Sequence, residues 1–355
     1  MRIGIDVGST TVKVVILNED KQLIFKKYQR HFADVANCVL DVLKQAQKVY
    51  DGPAKLTITG SAGMGLAEIL DLAFVQEVIA CTEAIEQKIP QTDVAIELGG
   101  EDAKITFFEG SLEQRMNGSC AGGTGAFIDQ MAALLQTDAV GLNELAKYYE
   151  QIYPIASRCG VFAKTDVQPL INEGASRNDI AASIFQAVVN QTIAGLASGR
   201  KIKGNVAFLG GPLTFLSELR HRFIETLQLL PEQVIFPDDS QYYVAIGAAI
   251  LANNGQTRTI DSLIQQLESQ KNARVSVSQT LPPLFKDQVE LAEFQKRHQE
   301  STVSYQLLSQ QKGPLFLGID AGSTTSKVIL INEESQICYQ SYGNNKGKPL
   351  ESVIE

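Results

Sequence analysis

The sequence IGIDVGSTTVKVVILNED, at Ile3–Asp20, returns late in the chain as LGIDAGSTTSKVILINEE, at Leu317–Glu334. The two segments are identical at 11 of 18 positions. Each one reads as an apolar strand ending in an aspartate, a Gly-Ser-Thr-Thr turn, a lysine and a second apolar strand. A repeat of this kind indicates one complete unit followed by the opening of a second.

The turn in this repeat has the composition of a phosphate-binding loop. Small residues let backbone N–H groups and hydroxyls close on a phosphate, and a carboxylate at the strand end can hold a hydrated magnesium ion. We therefore predict a site for ATP or ADP with Mg²⁺, in which Asp6 binds the metal and Asp6 and Lys13 are catalytic. The residues predicted to surround the phosphates are Asp6, Ser9, Thr10, Thr11 and Lys13.

A weaker copy of this hairpin follows at Asp93–Ile105. It again has a strand, an acid, a glycine turn and a lysine, with Glu97 in the place of the aspartate and Lys104 in the place of the lysine. We predict a catalytic role for Glu97 and nucleotide contacts from Gly99, Gly100 and Glu101. Two such hairpins predict two similar α/β subdomains that face each other across a nucleotide cleft.

A third glycine turn, Gly210-Gly211, follows the apolar segment Asn205–Leu209 and opens a helix. Such a turn lets a flat ring or a phosphate approach the backbone, so both glycines are candidate adenosine contacts, together with Gln241. A valine at Gly210 is expected to block nucleotide binding while leaving the fold intact.

The apolar pattern divides the chain into four parts. Residues 1–92 and 246–256 form subdomain I, 93–245 form subdomain II, 257–312 form a connector rich in Gln, Ser and Lys, and 313–355 open a second repeat, which suggests the N-terminal part of a longer protein. The predicted helices are 33–50, 77–88, 121–135, 142–150, 168–173, 178–198, 214–226, 244–252, 260–270 and 286–299.

The composition and net charge of the chain argue against some classes of protein. The chain has 355 residues, 44% of them hydrophobic, and a net charge of −9, which argues against a nucleic-acid partner. We see no charged-then-apolar leader and no long apolar span, so we predict a cytoplasmic protein without a membrane partner. The three histidines, His31, His221 and His298, have polar neighbours and are expected at the surface.

The order of these motifs resembles the superfamily of acetate and sugar kinases, heat-shock chaperones and actin, whose fold has two RNase H-like subdomains. Within it, residues 2–253 resemble the BadF/BadG/BcrA/BcrD group of ATP-dependent activators of 2-hydroxyacyl-CoA dehydratases and benzoyl-CoA reductases. The second copy resembles the large tandem-repeat activators of that group.

The most specific motif is Asn117–Gly125, NGSCAGGTG, with SRCGVF following at Ser157–Phe162. In the resembling activators, cysteines at these places bind a [4Fe–4S] cluster, which implies that role for Cys120 and Cys159. A cluster needs four thiolates, so two units must share it, as a homodimer or as an intrachain pseudo-dimer with the second repeat. Cys38 and Cys81 are expected to be packing residues.

The resemblance implies an ATPase coupled to electron transfer. Its partners would be a 2-hydroxyacyl-CoA dehydratase or related iron–sulfur reductase and a low-potential donor such as ferredoxin or flavodoxin. Two alternatives stay open: an amino-sugar-like small-molecule kinase, with Asp102 or Asp166 as base, and a chaperone-like ATPase without a redox role. A kinase would leave the CAGGTG loop without a purpose.

Overall fold

A computed structural model describes residues 1–117, 122–156, 160–252, 257–270, 281–322, 324–345 and 349–354. These residues belong to two compact units. The first comprises Met1–Val167 and Ser176–Ala273, and the second comprises Gln168–Ala175 and Arg274–Glu355.

The first unit begins with a β-sheet and the helices that pack on it. We call this sheet and its helices the first lobe. Its strand order is β11-β4-β1-β2-β3, with β5 beside β4; β1 runs antiparallel to β2 and parallel to β4. The strands are β1 (Arg2–Val7), β2 (Thr11–Leu17), β3 (Leu23–Arg30), β4 (Ala54–Thr59), β5 (Ala73–Phe74) and β11 (Thr257–Arg258), and the helices are α1 (Val35–Gln47), α2 (Gly63–Leu70) and α11 (Ile260–Gln270).

The core of the first lobe is built from the apolar residues of β1, β2 and β4 and the buried sides of its helices. Asp34 caps α1, since its side chain accepts from the N–H of Asn37. Ile260 and Leu263 of α11 are fully buried in the same core as Ile3 and Ile5. The first lobe is therefore completed by a helix from the far end of the unit.

The second lobe repeats this plan with the strand order β10-β9-β6-β7-β8. Here β6 is antiparallel to β7 and parallel to β9, as β1 is to β2 and β4. The strands are β6 (Val94–Leu98), β7 (Ala103–Phe107), β8 (Glu113–Met116), β9 (Val206–Leu209) and β10 (Val234–Ile235). The prediction of two similar lobes is confirmed.

Between β8 and β11 the chain is mainly helical. The α-helices are α4 (Gly125–Leu134), α5 (Ala139–Ala146), α6 (Gly160–Asn172), α7 (Arg177–Thr192), α8 (Gly211–Phe215), α9 (Ser217–Leu227) and α10 (Tyr243–Leu251). A π-helical turn, Ile193–Ala197, extends α7, and short 3-10 turns lie at Pro231–Gln233 and Ser240–Tyr242.

Two helices, α10 and α3 (Glu77–Lys88), share a core with both sheets. This core contains Val15 of the first sheet and Ala95 of the second. A side chain on Gly247 would overlap the carbonyl of Ala80. The two helices therefore cross with their backbones in contact, between the lobes.

The second unit contains a three-stranded sheet of order β12-β13-β14. Its strands are β12 (Phe316–Ala321), β13 (Thr325–Ile331) and β14 (Ile337–Asn344), and the unit also holds α12 (Gln288–Gln299), a 3-10 turn at Leu308–Gln310 and α13 (Pro349–Ile354). Asp320 lies opposite Lys327, as Asp6 lies opposite Lys13. The repeated sequence therefore forms the same hairpin twice.

Several expectations need correction. Residues 257–270, predicted as the start of the connector, pair with β4 and pack into the first core. The predicted helix 214–226 is two helices that meet at Leu216. The predicted helix 168–173 is the end of the longer helix α6. Helix α2 was not predicted. His31 is buried, with 7% of its surface exposed.

One stretch of the described chain, Arg177–Ala197, is long and apolar enough by length and composition to cross a membrane. Within its most apolar window, 67% of the residues are buried inside the protein. That is the burial of a core helix.

Candidate functional site

The three glycine turns predicted from the sequence meet around one cavity of about 300 Å³ in the first unit. Ser9 lines a smaller adjoining cavity that shares Asp6, Lys13 and Glu97 with the first. Glu101 lines neither cavity, and its carbonyl accepts from the side-chain amide of Asn117. The predicted residues that line the main cavity are Asp6, Thr10, Thr11, Lys13, Glu97, Gly99, Gly100, Gly210, Gly211 and Gln241.

Asp6 and Lys13 form the charged centre of this cavity. They lie opposite each other on β1 and β2, and the Lys13 Nζ is 2.9 Å from the Asp6 Oδ2. Burial alone would lower the pKa of Lys13, but the adjoining Asp6 carboxylate outweighs burial and raises it. Lys13 is therefore a permanent cation at the end of the first hairpin, and Asp6 offers the oxygen ligand that Mg²⁺ prefers.

The turn between β1 and β2 is held by its own backbone and by His31. The N–H of Gly8 donates to the Thr11 carbonyl at 2.9 Å. His31 Nδ1 accepts from the N–H of Ala33, so Nε2 carries the proton and donates to the Gly8 carbonyl, 3.1 Å away. Sequence reasoning missed His31, because nothing in its polar neighbours signals a buried ring.

Two backbone donors of this turn remain available. Among the residues that the structure describes, no acceptor pairs with the N–H of Ser9 or Thr10. Free N–H groups beside a cation form an anion-binding concavity. The turn therefore has the donors that a phosphate requires.

The turn of the second hairpin faces the first one. A Cβ on Gly100 would overlap the Thr10 Oγ1, so any side chain there would displace Thr10. The carbonyls of Gly99 and Gly100 accept from the N–H groups of Gly125 and Ala126, at 3.0 and 2.7 Å. The second turn is thus fixed to the start of α4 while it closes on the first turn.

A buried cluster of acids and one base lies behind the two turns. Lys104 is ion-paired with Glu77, and its Nζ is 3.8 Å from the Glu97 Oε1. Burial raises the pKa of Glu97, and the positive charge of Lys104 and a hydrogen bond from the Cys81 thiol reduce that rise. Cys81 is the packing residue that was predicted, since it lies in the shared core, but it also contacts a site residue.

The third turn is constrained by the backbone. Gly210 has φ +89°, and a Cβ there would overlap the backbone of Leu98. Gly60, in the equivalent place after β4, has φ +103° and the same relation to Val7. The expectation that a valine at Gly210 leaves the fold intact is therefore wrong, because any side chain would collide with β6 before it reached a ligand.

The end of the cavity near the third turn is apolar. Pro212, Phe215 and Leu216 line the cavity there, and Ser240 and Gln241 contribute polar groups. A pocket with apolar walls and a few polar groups fits a flat heteroaromatic ring. With the turns of the two hairpins lining the same cavity, the cavity fits a nucleoside phosphate.

Residues of β3 close one side of the cavity, which the sequence did not reveal. The Tyr28 ring packs edge-on against Phe215, with centroids 5.4 Å apart. The side chain of Arg30 is 2.5 Å from that of Asp129, and both line the cavity. The alternation of side chains along β3 was the available signal, but the sequence does not say which lobe they face.

The model of one protein family matches most of the first unit. Residues 3–252 match the family described as BadF/BadG/BcrA/BcrD ATPase. The chain belongs to the BadF/BadG/BcrA/BcrD ATPase family. The family assignment predicted from the motifs is confirmed.

Characterised members of the BadF/BadG/BcrA/BcrD family are similar to this chain over most of their length. The (R)-2-hydroxyglutaryl-CoA dehydratase activating ATPase of Acidaminococcus fermentans is 32% identical over 59% of this chain and 82% of its own length. The activator of lactoyl-CoA dehydratase of Anaerotignum propionicum is 29% identical over 70% of this chain and 96% of its own length.

A solved structure of a similar activator protein has a similar fold. The crystal structure of the Acidaminococcus fermentans (R)-2-hydroxyglutaryl-CoA dehydratase component A has a TM-score of 0.61 and 28% identity, and it covers 70% of this chain and 96% of the other. The predicted fold class, two RNase H-like subdomains around a cleft, is confirmed.

The two cysteines that the BadF/BadG/BcrA/BcrD resemblance singles out, Cys120 and Cys159, lie outside the described residues. In the sequence, Gly160 follows Cys159; α6 begins at this glycine and presents Val161 and Phe162 with 73% and 65% of their surfaces exposed. Asp166, considered as a kinase base, accepts from the N–H of Ala156 at 2.7 Å and lines neither cavity.

Proposed function

We propose that this chain is an ATP-hydrolysing activator that delivers one electron at low potential to a 2-hydroxyacyl-CoA dehydratase or a related iron–sulfur reductase. The observation that carries the proposal is the single cavity at which the Asp6–Lys13 turn, the Gly99-Gly100 turn and the Gly210-Gly211 turn meet. The names of the similar proteins, which are activators of such dehydratases, support the choice of partner.

In this proposal ATP lies with its phosphates between the two hairpin turns and its base near Gln241. Lys13 and the free N–H groups of Ser9 and Thr10 bind the phosphates, and Asp6 holds Mg²⁺. Glu97 stands behind the phosphate end, where a buried carboxylate can orient the attacking water. Hydrolysis yields ADP and phosphate between two lobes that share α3 and α10, so the nucleotide state can change the lobe arrangement.

The redox half of the proposal rests on Cys120 and Cys159. A [4Fe–4S] cluster, when bound, would supply a one-electron carrier. Two cysteines from one unit supply half of its ligands, so a second unit completes the site, in a homodimer or with a second repeat. A donor such as ferredoxin or flavodoxin is oxidised by one electron, and the dehydratase is reduced by that electron.

The test is a count of iron and sulfide per chain after anaerobic reconstitution of the chain and of four single variants. Cys120→Ser and Cys159→Ser are expected to lose the metal and the association of units that depends on it. Cys38→Ala and Cys338→Ala are matched controls, since both side chains are buried free thiols outside the proposed site. Full iron content in Cys120→Ser and Cys159→Ser would overturn the redox role and favour a kinase.

A second measurement addresses the partner. The reconstituted chain, mixed with ATP, a reduced donor and a 2-hydroxyacyl-CoA dehydratase, is expected to start dehydration, and omission of ATP is expected to prevent it. Dehydration that proceeds equally without ATP would contradict the activator role.

A further inference from the structure

Tyr28 continues a row of side chains across the first sheet. Asp6 lies opposite Lys13 on neighbouring strands, and Lys13 in turn lies opposite Tyr28. The Lys13 Nζ is 5.8 Å from the centre of the Tyr28 ring and 2.9 Å from Asp6. The cation is therefore held between a carboxylate on one side and an aromatic ring on the other.

The second unit contains the same row in a different setting. Lys327 Nζ is 2.7 Å from Asp320 and 5.9 Å from the centre of the Tyr342 ring, with Lys327 opposite Tyr342. By contrast, the hairpin of the second lobe places Met116 opposite Lys104. The tyrosine thus accompanies the Asp–Lys form of the hairpin and not the Glu–Lys form.

Tyr28 also reaches across the cleft to the second lobe. A Cβ on Gly211 would lie 2.6 Å from the Tyr28 hydroxyl oxygen and 3.4 Å from its Cζ. The φ of Gly211 is not in the left-handed region, so its backbone does not require glycine. The space taken by the tyrosine hydroxyl is what excludes a side chain at this position.

We propose that Tyr28 is a positioning residue of the ATP site, which fixes the Lys13 ammonium toward the phosphates and sets the approach of the Gly210-Gly211 turn. The inference rests on the proposed binding of ATP in this cavity. A ring facing an ammonium attracts it electrostatically, and here the same ring abuts the opposite lobe. Tyr28 therefore links the phosphate end of the site to the wall that closes it.

The experiment is a double-mutant cycle on the full chain, with the dissociation constant for ATP measured by calorimetry. Tyr28→Ala is expected to raise that constant about tenfold, and Tyr28→Phe, which keeps the ring, is expected to restore most of the affinity. Gly211→Ala is expected to weaken binding when Tyr28 is present. It is expected to have little effect with Tyr28→Phe, because the new methyl group then meets the ring carbons Cζ and Cε2 at ordinary contact distances of 3.4 and 3.6 Å.

Tyr148→Ala serves as the control, since that side chain is 72% exposed and lines neither cavity. Thermal unfolding of each variant without nucleotide separates misfolding from lost affinity. Unchanged affinity in a folded Tyr28→Ala, or an equal penalty for Gly211→Ala in both backgrounds, would overturn the assignment. Absence of ATP binding by the unaltered chain would instead overturn the proposed function on which it rests.

Discussion

Lys104, on β7 of the second lobe, is ion-paired with Glu77, in the first turn of the inter-lobe helix α3. The two side chains are only 5% and 18% exposed. Burial would by itself lower the pKa of Lys104, and the carboxylates of Glu97 and Glu77 outweigh it and raise that pKa. The buried cation Lys104 thus neutralises two half-buried acids and ties the second sheet to the helix shared by both lobes.

Removal of the Lys104 cation is expected to lower the free energy of unfolding. Lys104→Met removes the cation that is paired with Glu77 and lies 3.8 Å from Glu97, and breaking a buried pair in this way costs about 3 to 5 kcal/mol. Urea unfolding measures the loss. Lys203→Met is the control, because the ion pair of Lys203 with Glu109 is mostly exposed and its removal should change the free energy of unfolding by less than about 1 kcal/mol. Equal effects of the two substitutions would refute the role of burial.

The raised pKa of Glu97 predicts that the free energy of unfolding depends on pH. Burial raises its pKa above the ordinary value of 4.5, so the stability associated with its neutral form is present below that value and is lost as pH rises through the raised pKa. Glu97→Gln cannot ionise, so the difference in free energy of unfolding between variant and parent should shift in favour of the variant as pH rises above 4.5. Urea titrations on both sides of this pH check it; a constant difference would speak against a raised pKa.

Alanine substitutions at three glycines compare two positions with a constrained backbone, Gly210 and Gly60, with one position, Gly65, that has open space. Gly210→Ala and Gly60→Ala should each destabilise the protein by more than about 2 kcal/mol, because both positions combine positive φ with overlap of a neighbouring strand. Gly65, inside α2, has nothing within 4 Å of a new Cβ, and Gly65→Ala should be neutral or stabilising by about 0.5 to 1 kcal/mol. The ranking is obtained from thermal unfolding. A Gly210→Ala variant as stable as the parent would contradict it.

Substitution of the charged residues at the centre of the cavity is expected to slow ATP hydrolysis. Asp6→Ala and Lys13→Ala should each lower the rate of ATP hydrolysis by about a hundredfold, as expected for groups that stabilise charge at a reacting phosphate. The steady-state release of phosphate is measured. Lys44→Ala is the control, since Lys44 is half-exposed and pairs with Glu268 on the surface. Normal turnover in both site variants would remove these residues from the mechanism.

The first hairpin was predictable almost residue by residue, because its continuous apolar runs and its turn composition are local signals. Helix α11 was predicted as a helix but assigned to the connector, since its burial depends on strands more than 200 residues earlier in the chain. Glu77 and His31 gave no signal, because their importance comes from groups brought near them only by the fold: Lys104 for one and the Gly8 carbonyl for the other.

The Asp–Lys–Tyr row keeps its dimensions in two very different surroundings. In the first copy Asp6 and Lys13 are 4% and 15% exposed, whereas in the second Asp320 and Lys327 are 62% and 41% exposed, and yet the distances agree within 0.2 Å. The arrangement is thus encoded by short-range strand pairing and needs no surrounding enclosure. Contacts between residues close in sequence form early, so half of the phosphate-binding apparatus can assemble on the emerging chain before the opposite half has been synthesised.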